Sequence, residues 1–205
     1  MTTRSSRRFV LASGNAGKVR EFRAMLEGSA WQLLTPAEAG ATDVSVIETG
    51  RSYLENATLK AVAHAAATGL PALADDSGIE VDALDGRPGV LSARFGGPSV
   101  TSDAARSALL LRRLEGVPPA RRGARFRAVL VLALPGDRTF VREGTLEGRI
   151  ATAPRGANGF GYDPVFELPD GRTAAELGPE KDRISHRARA MRAMMDVLNE
   201  LAASD

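Results

Sequence analysis

The chain has 205 residues, 43% of them apolar, with 27 basic residues against 25 acidic ones and a net charge of +2. That length and apolar content suit one domain with a real core, and so near a balance of charge argues only weakly for nucleic acid as a partner. The lack of cysteine excludes disulfides, thiolate metal sites and a cysteine nucleophile, and fits a reducing compartment.

Residues 1–8 are basic and polar, but only four apolar residues follow before Ser13 interrupts them. That is too short for the apolar segment of a secretion leader. No window approaches the length of a membrane span. A soluble cytoplasmic protein with no membrane partner is expected, with residues 1–7 as a disordered basic tail. Residues 8–12 predict a buried first strand. Ser13-Gly14-Asn15-Ala16-Gly17-Lys18 then forms a turn, and residues 19–26 carry helical periodicity, with Val19, Phe22, Met25 and Leu26 on one face. Where a strand gives way to a helix, free backbone N–H groups and the positive end of the helix dipole favour a phosphate. Gly14 and Gly17 permit close backbone approach. Lys18 adds a point charge, and Asn15 can donate to a phosphate or accept from a base. The Walker spacing is absent, since Val19 stands where the metal-binding hydroxyl belongs. This stretch alone is either a phosphate loop or an ordinary turn.

A short strand over residues 31–34 leads into a polar loop that holds Glu48. Residues 52–67 predict a helix, rich in alanine and leucine and ended by Gly69. Asn56, Lys60 and His64 are spaced by four and share one face. Lys60 can reach a polyphosphate from there, or the face is simply solvated. The apolar residues 70–74 run into Asp75-Asp76-Ser77-Gly78. Adjacent carboxylates at a strand end point different ways, so one can hold a hard divalent cation while the other anchors the loop. Ser77 can bind a phosphate oxygen, and Gly78 suits a tight turn. The competing reading is an Asx turn satisfied by its own backbone.

Residues 79–84 look extended, 85–89 form a turn and 101–114 a helix. Residues 124–134 and 138–150 flank Pro135-Gly136-Asp137, a hairpin pattern. The cluster Arg121-Arg122-Gly123-Ala124-Arg125-Phe126-Arg127 can touch a nucleic acid backbone or be a solvated strand edge; no stable nucleic acid partner is expected. A glycine-rich loop over 154–163 contains Gly159-Phe160-Gly161-Tyr162-Asp163, where a ring can stack on a base and Asp163 can accept from a ring N–H or order the loop. Lys181, His186 and Arg187 stand at the mouth of a last helix over 184–201. His186 or Arg187 can donate to a 6-oxo purine, with helix-start packing as the alternative for His186. The apolar stripe of that helix is Ile184, Ala188, Met191, Met195 and Leu198, read as core. The order predicts an α/β fold with a mixed sheet. No linker divides residues 1–205, so one domain is expected, any second lobe being an insertion around the hairpin.

Four separated motifs, Ser13 to Lys18, Ala74-Asp75-Asp76-Ser77-Gly78, Gly159 to Asp163 and Ile184-Ser185-His186-Arg187, occur in one order. With Glu55-Asn56-Ala57, Lys60 and Ser92-Ala93-Arg94, they make the chain resemble the inosine/xanthosine triphosphate pyrophosphatases, also called dITP/XTP pyrophosphatases, over residues 9–198. The resemblance implies a homodimer and a strongly twisted mixed sheet flanked by helices, with two lobes and the active site in the cleft between them. It implies Mg2+-dependent hydrolysis of ITP, dITP and XTP to the monophosphate and pyrophosphate, which clears them from the nucleotide pool. By that likeness Asp76 is proton acceptor and metal ligand, and Glu48 a second metal ligand. Ser13, Gly14, Asn15, Ala16, Gly17, Lys18, Lys60 and Ser77 hold the phosphates. Phe160, Gly161, Tyr162, Asp163, Lys181, His186 and Arg187 hold the base and sugar. Two other readings stay open. One is a Maf-like pyrophosphatase acting on pyrimidine or modified nucleotides; the other is a non-catalytic nucleotide-binding or RNA-binding module.

Overall fold

The computed structural model describes residues 7–136 and 138–203. Most of the expected basic tail, residues 1–6, lies outside the described residues, and Arg7 already belongs to the first strand. Six strands form one sheet: β1 (Arg7–Leu11), β2 (Trp31–Leu34), β3 (Ala72–Val81), β4 (Gly123–Ala133), β5 (Thr139–Ile150) and β6 (Phe166–Glu167), in the spatial order β2-β1-β3-β4-β5-β6. β1 runs parallel to β2 and β3, while β5 and β6 are antiparallel. The sheet is therefore mixed, as the alternation of strands and helices predicts. The α-helices are α1 (Ala16–Met25), α2 (Tyr53–Thr68), α3 (Asp103–Arg113), α4 (Lys181–Ile184) and α5 (His186–Ala203).

The chain divides into two compact units. The first takes Met1–Asp76, Ala128–Gly144 and Arg187–Asp205; the second takes Ser77–Arg127 and Thr145–His186. In the first, Phe22 and Leu26 from the α1 region and Met191, Met194, Val197 and Leu198 of α5 bury against Phe9, Leu11, Leu33, Leu73, Leu130 and Leu132. In the second, Leu110 and Leu114 pack with Ile79, Val81, Phe126, Ile150 and Phe166. Each unit thus has its own apolar core, the main source of its stability.

Three boundaries differ from the sequence reading. α1 begins at Ala16 because the Asn15 side chain caps it, its Oδ1 accepting from Lys18 N–H at 3.0 Å. Residues 72–81 form one uninterrupted strand, so Asp75, Asp76 and Gly78 sit inside it and make no turn. The last helix is broken at Ser185, whose ψ of 161° is extended. Ile184 therefore packs in the second unit, and Met194, fully buried, replaces Met195 in the centre of the α5 stripe.

Candidate active site

The strand pleat sends Asp75 and Asp76 to opposite sides of β3, and the two carboxylates meet different partners. Asp75 is 1% exposed and its Oδ2 receives both Arg187 Nε at 2.9 Å and Lys18 Nζ at 3.0 Å. Arg187, 2% exposed, also donates to Glu21 through Nη1. Burial alone would raise the Asp75 carboxyl, but Arg187 and Lys18 outweigh it and hold the group well below the usual carboxylate range. Asp75 is thus an anchor whose charge its two cationic partners favour.

Asp76 lies against α2. Its Oδ1 accepts from Lys60 Nζ at 3.0 Å and its Oδ2 from Asn56 Nδ2 at 3.3 Å. Glu48 Oε1 is also 3.0 Å from Lys60 Nζ. Asn56 and Lys60 are one helical turn apart, which is why both reach the same carboxylate. Asn56 is itself fixed, its Oδ1 accepting from Gly50 N–H at 2.8 Å. Burial raises the pKa of Asp76 and the Lys60 charge only partly offsets this, so the net shift is upward, toward a proton acceptor. Burial would lower Lys60, yet Asp76 and Glu48 raise it overall. Lys18 is lowered, mainly by burial.

The backbone carbonyl of Asp75 joins these groups, because it accepts from Lys18 Nζ and from Lys60 Nζ, each at 3.1 Å. Two ammonium groups with separate side-chain origins therefore converge on one point beside Asp76. Such a cluster suits a polyphosphate, whose charge would relieve their mutual repulsion. The two carboxylates that flank Lys60 also fit a hard cation. Mg2+ takes one or two protein carboxylates and leaves its other positions to water and phosphate. Among the described residues no three acidic or histidine side chains gather as a larger cluster; Glu48 and Asp76, both on Lys60, are a pair that could serve as donors. Asp75 faces the other side of the strand, its Oδ2 held by Arg187 and Lys18. A cavity of about 660 Å³ opens at Ser13, Gly14 and Ala16 and is otherwise lined by residues such as Arg20, Arg23 and Thr35. Neither Asp76 nor Lys60 lines it, so the chemistry follows the charged groups and not this cavity.

In the second unit the glycine loop is held chiefly through its backbone. Asp163 Oδ2 accepts from Phe160 N–H at 2.9 Å and from Lys181 Nζ at 2.5 Å. The Lys181 ammonium also stands 5.0 Å from the Phe160 ring centroid, within cation–π reach. Gly159 has φ +80°, and a Cβ there would sit 2.0 Å from Asp163 Oδ2, so only glycine fits. His186 stacks on Phe126 at 4.9 Å between centroids.

Several sequence expectations change. Tyr162 is no base platform: it is buried, its hydroxyl donates to the Ser92 carbonyl at 2.8 Å, and burial pushes its phenol pKa up. Phe160, half-buried, is the ring of this loop left for stacking. Arg187 is buried with its guanidinium donating to Asp75 and Glu21, the carboxylate partners that a buried charge demands. Asn15 spends its side-chain oxygen on the helix cap, and Ala16, Gly17 and Lys18 form the first turn of α1. Ser13 and Gly14 lie in the short link before it. Asp163 orders the loop. Ser77 and Gly161 lie next to Asp76 and Phe160 in the chain, Ser77 half-buried within β3. Of the Arg121–Arg127 cluster, Arg122 is buried against three carbonyls, those of Ile150, Leu114 and Ala151. Arg125 pairs with Asp82 and Glu147, and Arg127 lies 3.9 Å from Glu80. The sequence gives no direct sign of Glu21, and it leaves the face of Asn56 and Lys60 open between a phosphate-reaching and a solvated one, where the structure turns Asn56 onto Asp76. The spacing of three between Lys18 and Glu21 was the available clue to the first, since it puts both on one side of α1.

The chain matches the Ham1 family over residues 9–197. It is 50% identical over 198 residues to a dITP/XTP pyrophosphatase of Symbiobacterium thermophilum, covering 96% of this chain and 98% of that one. Against a dITP/XTP pyrophosphatase of Thermus thermophilus the identity is 51% over 193 residues, covering 93% and 91%. A solved structure of a HAM1 protein from Coxiella burnetii superposes with a TM-score of 0.83 at 42% identity, covering 95% of this chain and 99% of that one.

Proposed function

The chain belongs to the Ham1 family, and from that we propose that it hydrolyses ITP, dITP and XTP to the monophosphate and pyrophosphate. The observation that carries this reading is the convergence of Lys18 and Lys60 on the Asp75 carbonyl, with Asp76 and Glu48 flanking Lys60. That cluster combines a proton acceptor, a cation-binding pair and two positive charges for a leaving pyrophosphate. Glu48 and Asp76 would hold Mg2+, which when bound neutralises phosphate charge and sharpens the electrophile.

The chain's own residues supply the rest. Asp76 positions the attacking water and takes its proton as the water adds in line to the α-phosphorus. Asn56 holds that carboxylate in one orientation. Lys18 and Lys60 stabilise charge growing on the pyrophosphate, and residues 13–18 offer the start of α1 to the phosphates. No covalent enzyme intermediate is required. The base lies on Phe160, with Lys181 and His186 near its polar edge. A donor facing O6 accepts ITP and XTP, whereas ATP presents an amino group there and leaves the donor unpaired.

The active form is a homodimer of one-domain subunits working in the cytoplasm. Exposed Leu54, Leu59 and Val62 on one side of α2, with Ile47 79% exposed, support such an interface; light scattering of the purified chain tests it. No helix among the described residues is long and apolar enough to cross a membrane. The deciding experiment offers ITP, XTP, GTP, ATP and dTTP, with Mg2+ and with EDTA, and resolves pyrophosphate from orthophosphate. Pyrophosphate with IMP and XMP, abolished by EDTA and weak from the other nucleotides, is the expected result. Orthophosphate, or preferred turnover of dTTP or ATP, would refute the reading.

A further inference from the structure

We infer that Asp103 and Ser107 of α3 are positioning residues for base recognition: they clamp the peptide of Gly161 and thereby fix the ring of Phe160. The inference rests on the reading above that Phe160 stacks on the purine. Asp103 Oδ2 accepts from Gly161 N–H at 2.7 Å, and Ser107 Oγ donates to the Gly161 carbonyl at 3.2 Å. The two side chains are four residues apart, so one face of one helix holds both polar groups of the same residue. Ser107 is buried, where a hydroxyl is retained only if it is hydrogen-bonded.

Phe160 itself is bracketed. Its own N–H goes to Asp163 Oδ2 and the next N–H along the chain goes to Asp103. With both flanking peptides held, the Cα–Cβ direction of Phe160 is set and only two side-chain torsions remain. Gly161, at φ +65°, adopts the left-handed backbone that lets the chain turn back toward α3. Asp103 is in turn aimed from its other oxygen. Arg106 Nη2 donates to Oδ1 at 2.5 Å, and Arg106 Nη1 is tied to the Val100 carbonyl at 3.2 Å. Burial would raise the Asp103 carboxyl, but Arg106 and the Gly161 amide bring it below its ordinary value, so the acceptor is ionised and the bond charge-assisted. A stacking ring gains affinity by being held in place before the base arrives, because less freedom is lost on binding. Helix α3, which carries no expected contact to the nucleotide, therefore sets how well the base is gripped.

The test compares wild type with Asp103→Ala, Asp103→Asn and Ser107→Ala, using three readouts. Steady-state turnover of ITP gives KM and kcat. Inhibition by inorganic tripolyphosphate, which has no base, gives a Ki that reports the phosphate groups alone. Amide hydrogen exchange across residues 159–163 in the free protein reports the clamp without any nucleotide. Asp103→Ala should raise KM for ITP roughly tenfold, as loss of a charge-assisted hydrogen bond implies, with kcat and the tripolyphosphate Ki held and exchange accelerated. Asp103→Asn should restore most of the loss, since an amide oxygen still accepts. Ser107→Ala should raise KM about twofold to threefold, as a neutral bond implies. Unchanged exchange in Asp103→Ala, an unchanged KM, or KM and Ki rising together would each overturn the inference. If wild type released no pyrophosphate from ITP, the functional reading and the role in base recognition would fall together, and exchange would still show whether Asp103 holds the loop.

Discussion

Around Asp75 and Asp76 charge meets charge: four carboxylates, two lysines and an arginine pair side chain to side chain in two groups that meet at the Asp75 carbonyl. Around Phe160 the pattern differs, because Asp163 and Asp103, each also paired with one cation, turn an oxygen onto a backbone amide, and the Lys181 ammonium faces a ring. The first arrangement suits a group whose charge is the same in every nucleoside triphosphate. The second suits a flat, uncharged ring whose recognition depends on where a surface is placed. Converging cationic side chains are suited to a charge; a clamped backbone is suited to a shape.

The largest expected effect breaks the charged region at its reactive point. Asp76→Asn should lower kcat for ITP by at least about 10²–10⁴-fold, the usual worth of a general base, while the fold survives. Turnover near wild type would refute the assignment. Next comes the anchor. Asp75→Asn leaves Arg187 buried with one carboxylate fewer, and breaking such a pair costs about 3–5 kcal/mol. The Asp75 pKa is depressed in the fold, so its stabilisation is complete above the unfolded value of about 3.9 and is lost as pH falls below that. Melting curves of wild type and Asp75→Asn should differ most at neutral pH and converge in acid. A gap that stayed constant down to acid would contradict the ion-pair account.

Smaller effects are expected on the base side. Phe160→Ala should raise KM for ITP about tenfold to a hundredfold, since stacking is worth roughly 1–3 kcal/mol per base, whereas Phe160→Trp should keep most of the affinity. Inhibition by tripolyphosphate should not follow KM, and if it did the two regions would not divide the substrate as argued. The smallest change is Tyr162→Phe. Loss of its bond to the Ser92 carbonyl should cost about 0.5–1.5 kcal/mol of stability, seen as a modest fall in melting temperature. A stronger defect in KM than in stability would restore Tyr162 as a base contact.

The alternation of strands and helices, the hairpin and the helix ended by Gly69 were legible because each rests on local periodicity or on a turn that only certain residues make. The spacing of Asn56 and Lys60 likewise put them on one face before any fold was known. Motif order pointed to the family for the same reason: it is carried by short contiguous stretches. What the sequence could not determine was which polar group answers which. Asp75 and Asp76 are neighbours of the same type, and only packing against Arg187 on one side and α2 on the other makes one a doubly paired anchor and gives the other the raised pKa. Phe160 and Tyr162 look equivalent in the glycine loop until the second core takes Tyr162. Glu21 and Arg187 are 166 residues apart, and Asp103 and Gly161 are 58 apart. Burial strengthens such pairings by lowering the local dielectric, and burial of residues so distant is decided by the tertiary structure alone.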